Sequence, residues 1–200
     1  MTIFLASGNT HKLEEIHGVL PGVKVLTPAD AGLIFDFEET GHTFLDNSMG
    51  KAIALWRQVG LPTLADDSGL CVDSLGGRPG VLSARYGSEE GSPLLESPKR
   101  NSRLLGEMSG MVNRSCRFVC CLSLVLGPDR AFSIQETCEG LLLEVPRGSG
   151  GFGYDPVVYL PELGKSVAEL TPAEKNLVSH RGKALRRLRA IIADLLESGI

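Results

Sequence analysis

The chain has 200 residues, 42% of them hydrophobic, and 20 basic side chains stand against 24 acidic ones for a formal net charge of −4. That apolar content fills the core of one domain, or of two lobes sharing a sheet. The mild acidity offers no general field for gathering nucleic acid, and no uncharged apolar run approaches the roughly 18 residues of a membrane span.

Met1-Thr2-Ile3-Phe4-Leu5-Ala6-Ser7 carries no basic leader, so a cytoplasmic protein is expected, with neither membrane nor nucleic acid as partner. Five cysteines, at 71, 116, 120, 121 and 138, form no CxxC pair and read as buried fillers.

Thr2 to Ala6 reads as a first strand, Ser7-Gly8-Asn9-Thr10 as a turn, and the spacing of Leu13, Ile16 and Leu20 predicts a helix through about Val19. A strand feeding a glycine turn and a helix start is a common anion site. Lys24 to Thr27 is a weak second strand, and Pro28 to Gly41 an acid-rich connection. Thr43 with Asp46 forms a capping box for a helix whose one face carries Phe44, Asn47 and Lys51, with Leu55 continuing it; Trp56 is read as packing, and Gly60-Leu61-Pro62 ends the helix. Thr63 to Asp66 reads as a strand followed by a long loop shaped by Gly69, Gly76, Gly77 and Gly80.

Residues 87–98 are the least core-like, a solvated connection or a lid, before a helix from Pro98 to Met108. Arg117 to Leu126 and Ala131 to Val145 supply strands around the turn Gly127-Pro128-Asp129, and Pro156 to Tyr159 is extended. Thr171-Pro172-Ala173-Glu174 starts a helix with a capping box and proline in its first turn, and Lys183 to Ser198 is an amphipathic helix. Strands separated by helices make this an α/β protein.

Glu38, Glu39, Asp66, Asp67 and Asp73 are oxygen donors suited to magnesium, which leaves positions for phosphate and water. In a regular strand Asp66 and Asp67 point to opposite faces, so one can enter a cleft while the other braces the structure; a solvated turn explains the pair as well. Lys12, Lys51, Lys165 and Arg181 are phosphate contacts or surface cations, and with Ser7 and Asn9, read as donors near a helix start, they describe a polyphosphate cradle. In Gly151-Phe152-Gly153-Tyr154-Asp155-Pro156, Phe152 can stack on a nucleobase and Asp155 accept a ring N–H, or the segment is a tight turn with aromatic anchors. His180-Arg181 is a polar helix start or a ligand-reading pair. Glu162-Leu163-Gly164-Lys165-Ser166 ends like a phosphate-binding P-loop but has Tyr159 where its first glycine belongs, and Asp66-Asp67-Ser68-Gly69 lacks the serine-hydrolase elbow.

Taken in order, Ser7-Gly8-Asn9-Thr10-His11-Lys12, Phe37-Glu38-Glu39-Thr40-Gly41, Thr43-Phe44 through Lys51, Ala65-Asp66-Asp67-Ser68-Gly69-Leu70, Gly151 to Pro156 and Ser179-His180-Arg181-Gly182 resemble the inosine triphosphate pyrophosphatase family over nearly the whole chain. The resemblance implies one domain, 1–200, with a two-lobed α/β fold, an elongated mixed central sheet flanked by helices, an active cleft between the lobes, and a homodimer. It implies magnesium-dependent hydrolysis of XTP, ITP or dITP to the monophosphate and pyrophosphate, with manganese as a substitute metal. On that basis Glu39 and Asp67 hold the metal, and Asp67, with Ser68 beside it, orients the water. Ser7, Asn9, Lys12 and Lys51 contact phosphate, and Phe152, Gly153, Tyr154, Asp155, Lys165, His180 and Arg181 surround the base or a neighbouring phosphate. Two other outcomes stand: a nucleotide pyrophosphatase of different base selectivity, and a nucleotide-binding module without turnover. Gly50 departs from the family pattern inside a helix, at a cost of about 1 kcal/mol relative to alanine.

Overall fold

The run Ile3-Phe4-Leu5-Ala6 is apolar at every position because it has hydrophobic neighbours on both sides. In the computed structural model, which describes residues 1–89 and 91–197, Thr2–Leu5 form strand β1; Ile3 and Leu5 enter one buried cluster, Phe4 and Ala6 another. Alternation of side chains along a strand produces this division.

The remaining elements are α1 (Thr10–Val19), β2 (Lys24–Leu26), α2 (Phe44–Val59), β3 (Thr63–Val72), α3 (Ser97–Glu107), β4 (Ser115–Gly127), β5 (Arg130–Leu142), β6 (Val158–Leu160), β7 (Lys165–Ser166), α4 (Pro172–Val178) and α5 (His180–Glu197), with short 3-10 turns among them. The strands form a seven-stranded sheet in the order β2-β1-β3-β4-β5-β6-β7. β1 is parallel to β2 and β3, whereas β6 is antiparallel to β5 and β7. This is an α/β fold with a mixed central sheet flanked by helices.

The chain divides into two compact units. The first comprises Met1–Asp67, Cys120–Glu136 and the chain from His180 onward. In it, Ile16 of α1 and Ala184, Leu185, Leu188 and Ile192 of α5 pack with Ile3, Leu5 and Leu64, while Ala52 and Leu55 of α2 pack with Phe4, Ala6 and Ala65; Trp56 joins the latter cluster. The second comprises Ser68–Val119 and Thr137–Ser179, with its own cluster that includes Leu70, Val72, Leu104, Met108, Phe118, Tyr154 and Val157. Cys116, Cys120, Cys121 and Cys138 are buried free thiols, as fillers should be, and Cys71 is half-buried.

Several boundaries differ from those read off the sequence: β5 ends at Leu142, short of Val145, and Pro156 and Val157 lie in a 3-10 turn ahead of β6. β3 runs to Val72, so the adjacent aspartates lie inside a strand and no loop begins at Gly69. Glycine there reports a close approach: a Cβ on Gly69 would lie 2.3 Å from Ser83 Oγ and 2.5 Å from the Gly80 carbonyl oxygen. Likewise α5 begins at His180, three residues before the expected start at Lys183; its expected end at Ser198 lies outside the described residues. Within residues 87–98, Ser88 Oγ accepts from the Leu95 amide at 2.9 Å, and α3 starts at Ser97. Gly50 has a packing reason, since a Cβ would lie 2.9 Å from the Phe37 ring.

The capping box on α2 is present in both directions: Thr43 Oγ1 accepts from the Asp46 amide at 3.1 Å, and Asp46 Oδ2 accepts from the Thr43 amide at 3.2 Å. Thr43→Ala therefore removes one partner of the first helical turn. It should lower stability by about 1 kcal/mol, a drop of about 2–4 °C in Tm for a chain of this size, read by circular dichroism; an unchanged Tm would show that the cap contributes nothing.

Candidate active site

Asp66 and Asp67 occupy neighbouring positions of β3 and have opposite surroundings. Asp66 is fully buried. Lys12 Nζ lies 2.5 Å from its Oδ1 and also donates to its backbone carbonyl at 3.2 Å. Arg181 Nε donates to Asp66 Oδ2 at 2.7 Å, Arg181 Nη1 to Glu15, and the Cys120 thiol to Asp66 Oδ2 at 3.3 Å. Desolvation is the largest influence on the Asp66 carboxyl and acts to raise its pKa, but the Arg181 and Lys12 charges together hold it well below the ordinary 3.8. Asp66 is thus an anion supplied with cations by the protein itself, as a buried charge must be.

Asp67 presents to α2. Asn47 Nδ2 donates to its Oδ2 at 3.0 Å, while Asn47 Oδ1 accepts from the Gly41 amide at 2.8 Å. One helical turn on, Lys51 pairs with Glu39. Burial and then the nearby Glu39 charge push the Asp67 carboxyl up to about 6, against the opposing effects of Asn47, Lys12 and Lys51. A carboxyl near neutrality in such a setting is suited to accepting a proton.

At the start of α1, Asn9 Oδ1 caps the helix by accepting from the amides of His11 and Lys12 at 3.0 and 3.3 Å, and Ser7 Oγ accepts from the Asn9 amide at 3.1 Å. In these contacts both side chains act as acceptors, where the sequence reading had them as donors. They shape the loop whose helix start favours an anion.

In the second unit, Phe152 to Asp155 form a tight turn closed by its own carboxylate. Asp155 Oδ2 accepts from the Phe152 amide and from Lys175 Nζ, each at 2.8 Å, and Asp155 is 3% exposed. Lys175 Nζ also stands 4.5 Å from the Phe152 ring centroid, a cation–π distance. Tyr154 is buried with its hydroxyl donating to the Ser83 carbonyl at 2.9 Å.

A family model described as the Ham1 family matches residues 3–191. The chain belongs to the Ham1 family. The dITP/XTP pyrophosphatase of Treponema denticola is 52% identical over 185 residues, which cover 92% of this chain and 95% of that protein; the protein of the same name from Geobacillus kaustophilus is 46% identical, covering 93% and 91%. Among solved structures, a HAM1 protein from Coxiella burnetii matches with TM-score 0.89 and 36% identity over 97% of this chain and 99% of its own.

Within this Ham1 protein, the first unit brings together Lys12 with Asp66, and Glu39, Lys51 and Asn47 with Asp67. Arg181 is 1% exposed and His180 6%, both in the first turn of α5. The Arg181 guanidinium is engaged by Asp66 and Glu15, and the pair His180-Arg181 opens α5, as its reading as a polar helix start expects. Lys165 pairs with Glu174 at 2.8 Å on the surface, and the lysine that meets Asp155 is Lys175. Asn47, Glu15 and Lys175 were missed as site residues; the shared helical face of Asn47 and Lys51 was the available signal for the first. Among the described residues, no group of three or more His, Cys, Asp or Glu side chains is arranged to hold a metal ion.

Replacing Glu39 by glutamine removes the like charge that helps raise Asp67. The Asp67 carboxyl, followed by carbon-13 NMR in metal-free protein, should then titrate below its native midpoint of about 6. A midpoint that stays put or rises would show that Glu39 does not act on it.

Proposed function

We propose that this chain hydrolyses noncanonical purine nucleoside triphosphates, dITP, XTP and ITP, to the monophosphate and pyrophosphate, with the whole chain acting as one catalytic domain. The observation that carries the chemistry is the buried Asp67 with its carboxyl raised to about 6 beside Glu39. The substrate class rests on kinship with proteins named dITP/XTP pyrophosphatase, including one 52% identical across 92% of this chain.

Glu39 and Asp67 would hold a divalent cation. Their mutual repulsion is what a cation relieves, and two carboxylates match the ligand set of magnesium where phosphate and water complete the shell; manganese takes the same oxygen donors. When bound, the ion supplies charge neutralisation for the phosphates. Asp67, braced by Asn47, accepts the proton of the water that attacks the α-phosphorus, and pyrophosphate departs as the bond to its bridging oxygen breaks. Lys12 and Lys51 stabilise the charge that develops on the leaving group. Ser7, Asn9 and the first amides of α1 contact phosphate, and Ser68 follows the base on the same strand.

Base reading is assigned to the turn Phe152-Gly153-Tyr154-Asp155. Phe152 stacks on the purine, and Lys175 joins Asp155 as its charged partner; Lys165, His180 and Arg181 complete the set proposed around base or phosphate. A 6-keto purine offers O6 to a donor and N1–H to an acceptor, while adenine reverses part of that pattern, and unpaired buried polar groups penalise the wrong base. A homodimer, a cytoplasmic location and the absence of a nucleic-acid partner belong to the same proposal. Among the described residues, no helix is long and apolar enough to cross a membrane.

Hydrolysis in oxygen-18 water, with a panel of triphosphates and magnesium, tests the reaction and its selectivity together. Label should appear in the monophosphate, with ITP, XTP and dITP preferred over ATP and GTP, and Asp67→Asn should lower turnover by about 10²–10⁴-fold. Label found solely in pyrophosphate contradicts attack at the α-phosphorus, and equal rates across the panel contradict the base selection.

A further inference from the structure

α3 presents a buried face at helical spacing: Asn101, Leu104 and, just past its end, Met108. Leu104 and Met108 are completely buried and belong to the apolar cluster of the second unit, which is what such a stripe normally does. Asn101 shares the stripe and is 4% exposed, yet it is an amide. Its Nδ2 donates to the carbonyl of Gly153 at 3.1 Å, while its Oδ1 is buried with no hydrogen-bond partner. Burying an unpartnered acceptor is costly, and an apolar side chain of similar size would avoid that cost. The bond to Gly153 is therefore the feature that distinguishes this residue from ordinary packing.

Gly153 is the residue after Phe152, and it adopts φ +64°, a left-handed conformation. Its carbonyl orientation and the position of the Phe152 ring share one short stretch of backbone. The neighbouring residue of α3 holds the same turn from another side: the Arg100 guanidinium lies 6.0 Å from the Tyr154 ring centroid, and Arg100 also donates to the Ala84 carbonyl and, at 3.0 Å, to Ser97 Oγ. Tyr154 in turn is tied to Ser83. The turn thus has α3 on Gly153 and Tyr154 and α4 on Asp155, through Lys175.

We infer that Asn101 is a positioning residue for base recognition: by holding the Gly153 carbonyl it fixes the backbone that presents the Phe152 ring. This rests on the reading of Phe152 as the stacking platform. Asn101 touches no reacting atom, so its loss should weaken substrate binding without slowing the chemical step.

The test is a double-mutant cycle in the full-length protein with ITP as substrate, measuring KM, kcat and the ITP-to-ATP ratio of kcat/KM for native protein, Asn101→Ala, Phe152→Ala and the double variant. Asn101→Ala should raise KM by about threefold to tenfold, the range of one lost hydrogen bond, leave kcat within about twofold, lower the ITP-to-ATP ratio, and add nothing further once Phe152 is alanine. Asn101→Leu, which keeps a similar size, removes the Nδ2 donor and buries no polar atom, should show the same pattern and serves if the alanine variant does not fold. An unchanged KM in Asn101→Ala and Asn101→Leu, or an equal effect with and without Phe152, overturns the positioning role. If Phe152→Ala itself leaves KM and the ITP-to-ATP ratio unchanged, the stacking reading fails and the inference falls with it. The two failures are thus distinguished by which single variant is silent.

Discussion

Burial of the Asp66 carboxylate is the constraint from which the first unit is organised. An ionised group with no solvent access needs its counter-charges inside the fold, and here they come from Lys12 on α1 and Arg181 on α5, with Glu15 completing the set. Residues 12, 15, 66 and 181 must therefore meet before any of them is satisfied. The same helices cover one face of β1 and β3 with apolar side chains, so hydrophobic packing and the ionic contacts call for the same arrangement. A fold whose packing and charge satisfaction agree in this way is specified more narrowly than by hydrophobicity alone.

Strand periodicity then explains why two adjacent aspartates can differ so sharply. Leu64 joins the cluster that holds α1 and α5, and Ala65 the one that holds α2; two positions on, Asp66 follows Leu64 and Asp67 follows Ala65. Asp66 meets two cations and stays ionised. Asp67 meets an amide and a neighbouring carboxylate, and burial with that neighbour raises its carboxyl to about 6. One short stretch of strand thereby yields an anion held by internal cations and a carboxyl raised to about 6, divided by a rotation of half a turn about the strand axis.

Much of this was legible in the sequence where the signal is local. The capping boxes at Thr43 and Thr171, the helix start after Asn9 and the helical face shared by Asn47 and Lys51 depend on residues within one or two turns, and they stand in the structure. The strand through Asp66 was cut short because Ser68-Gly69 carries the usual marks of a turn; the glycine answers instead to Ser83 and Gly80, a packing demand that local pattern does not carry. For the same reason the pairing of Lys175 with Asp155 has no signal along the chain. Which lysine reaches a carboxylate depends on how α4 packs on the turn, and Lys165 and Lys175 look alike along the chain. The carboxylate partners of Arg181 lie more than a hundred residues away in sequence, so its pairing with them has no local signal.

The central claim, that Asp66 holds the first unit together while the ionised Asp67 opposes its folding, is tested most directly by the denaturant midpoints of Asp66→Asn and Asp67→Asn at pH 8. Removing the Asp66 charge leaves Lys12 and Arg181 short of a partner and should cost roughly 3–5 kcal/mol. For Asp67 the sign is opposite: its folded pKa of about 6 exceeds the ordinary 3.8, so the stability tied to its proton is full below the ordinary value and lost as pH rises through about 6, and at pH 8 the ionised group opposes folding. Asp67→Asn should therefore be at least as stable as the native protein. A destabilised Asp67→Asn alongside an unaffected Asp66→Asn would contradict the account.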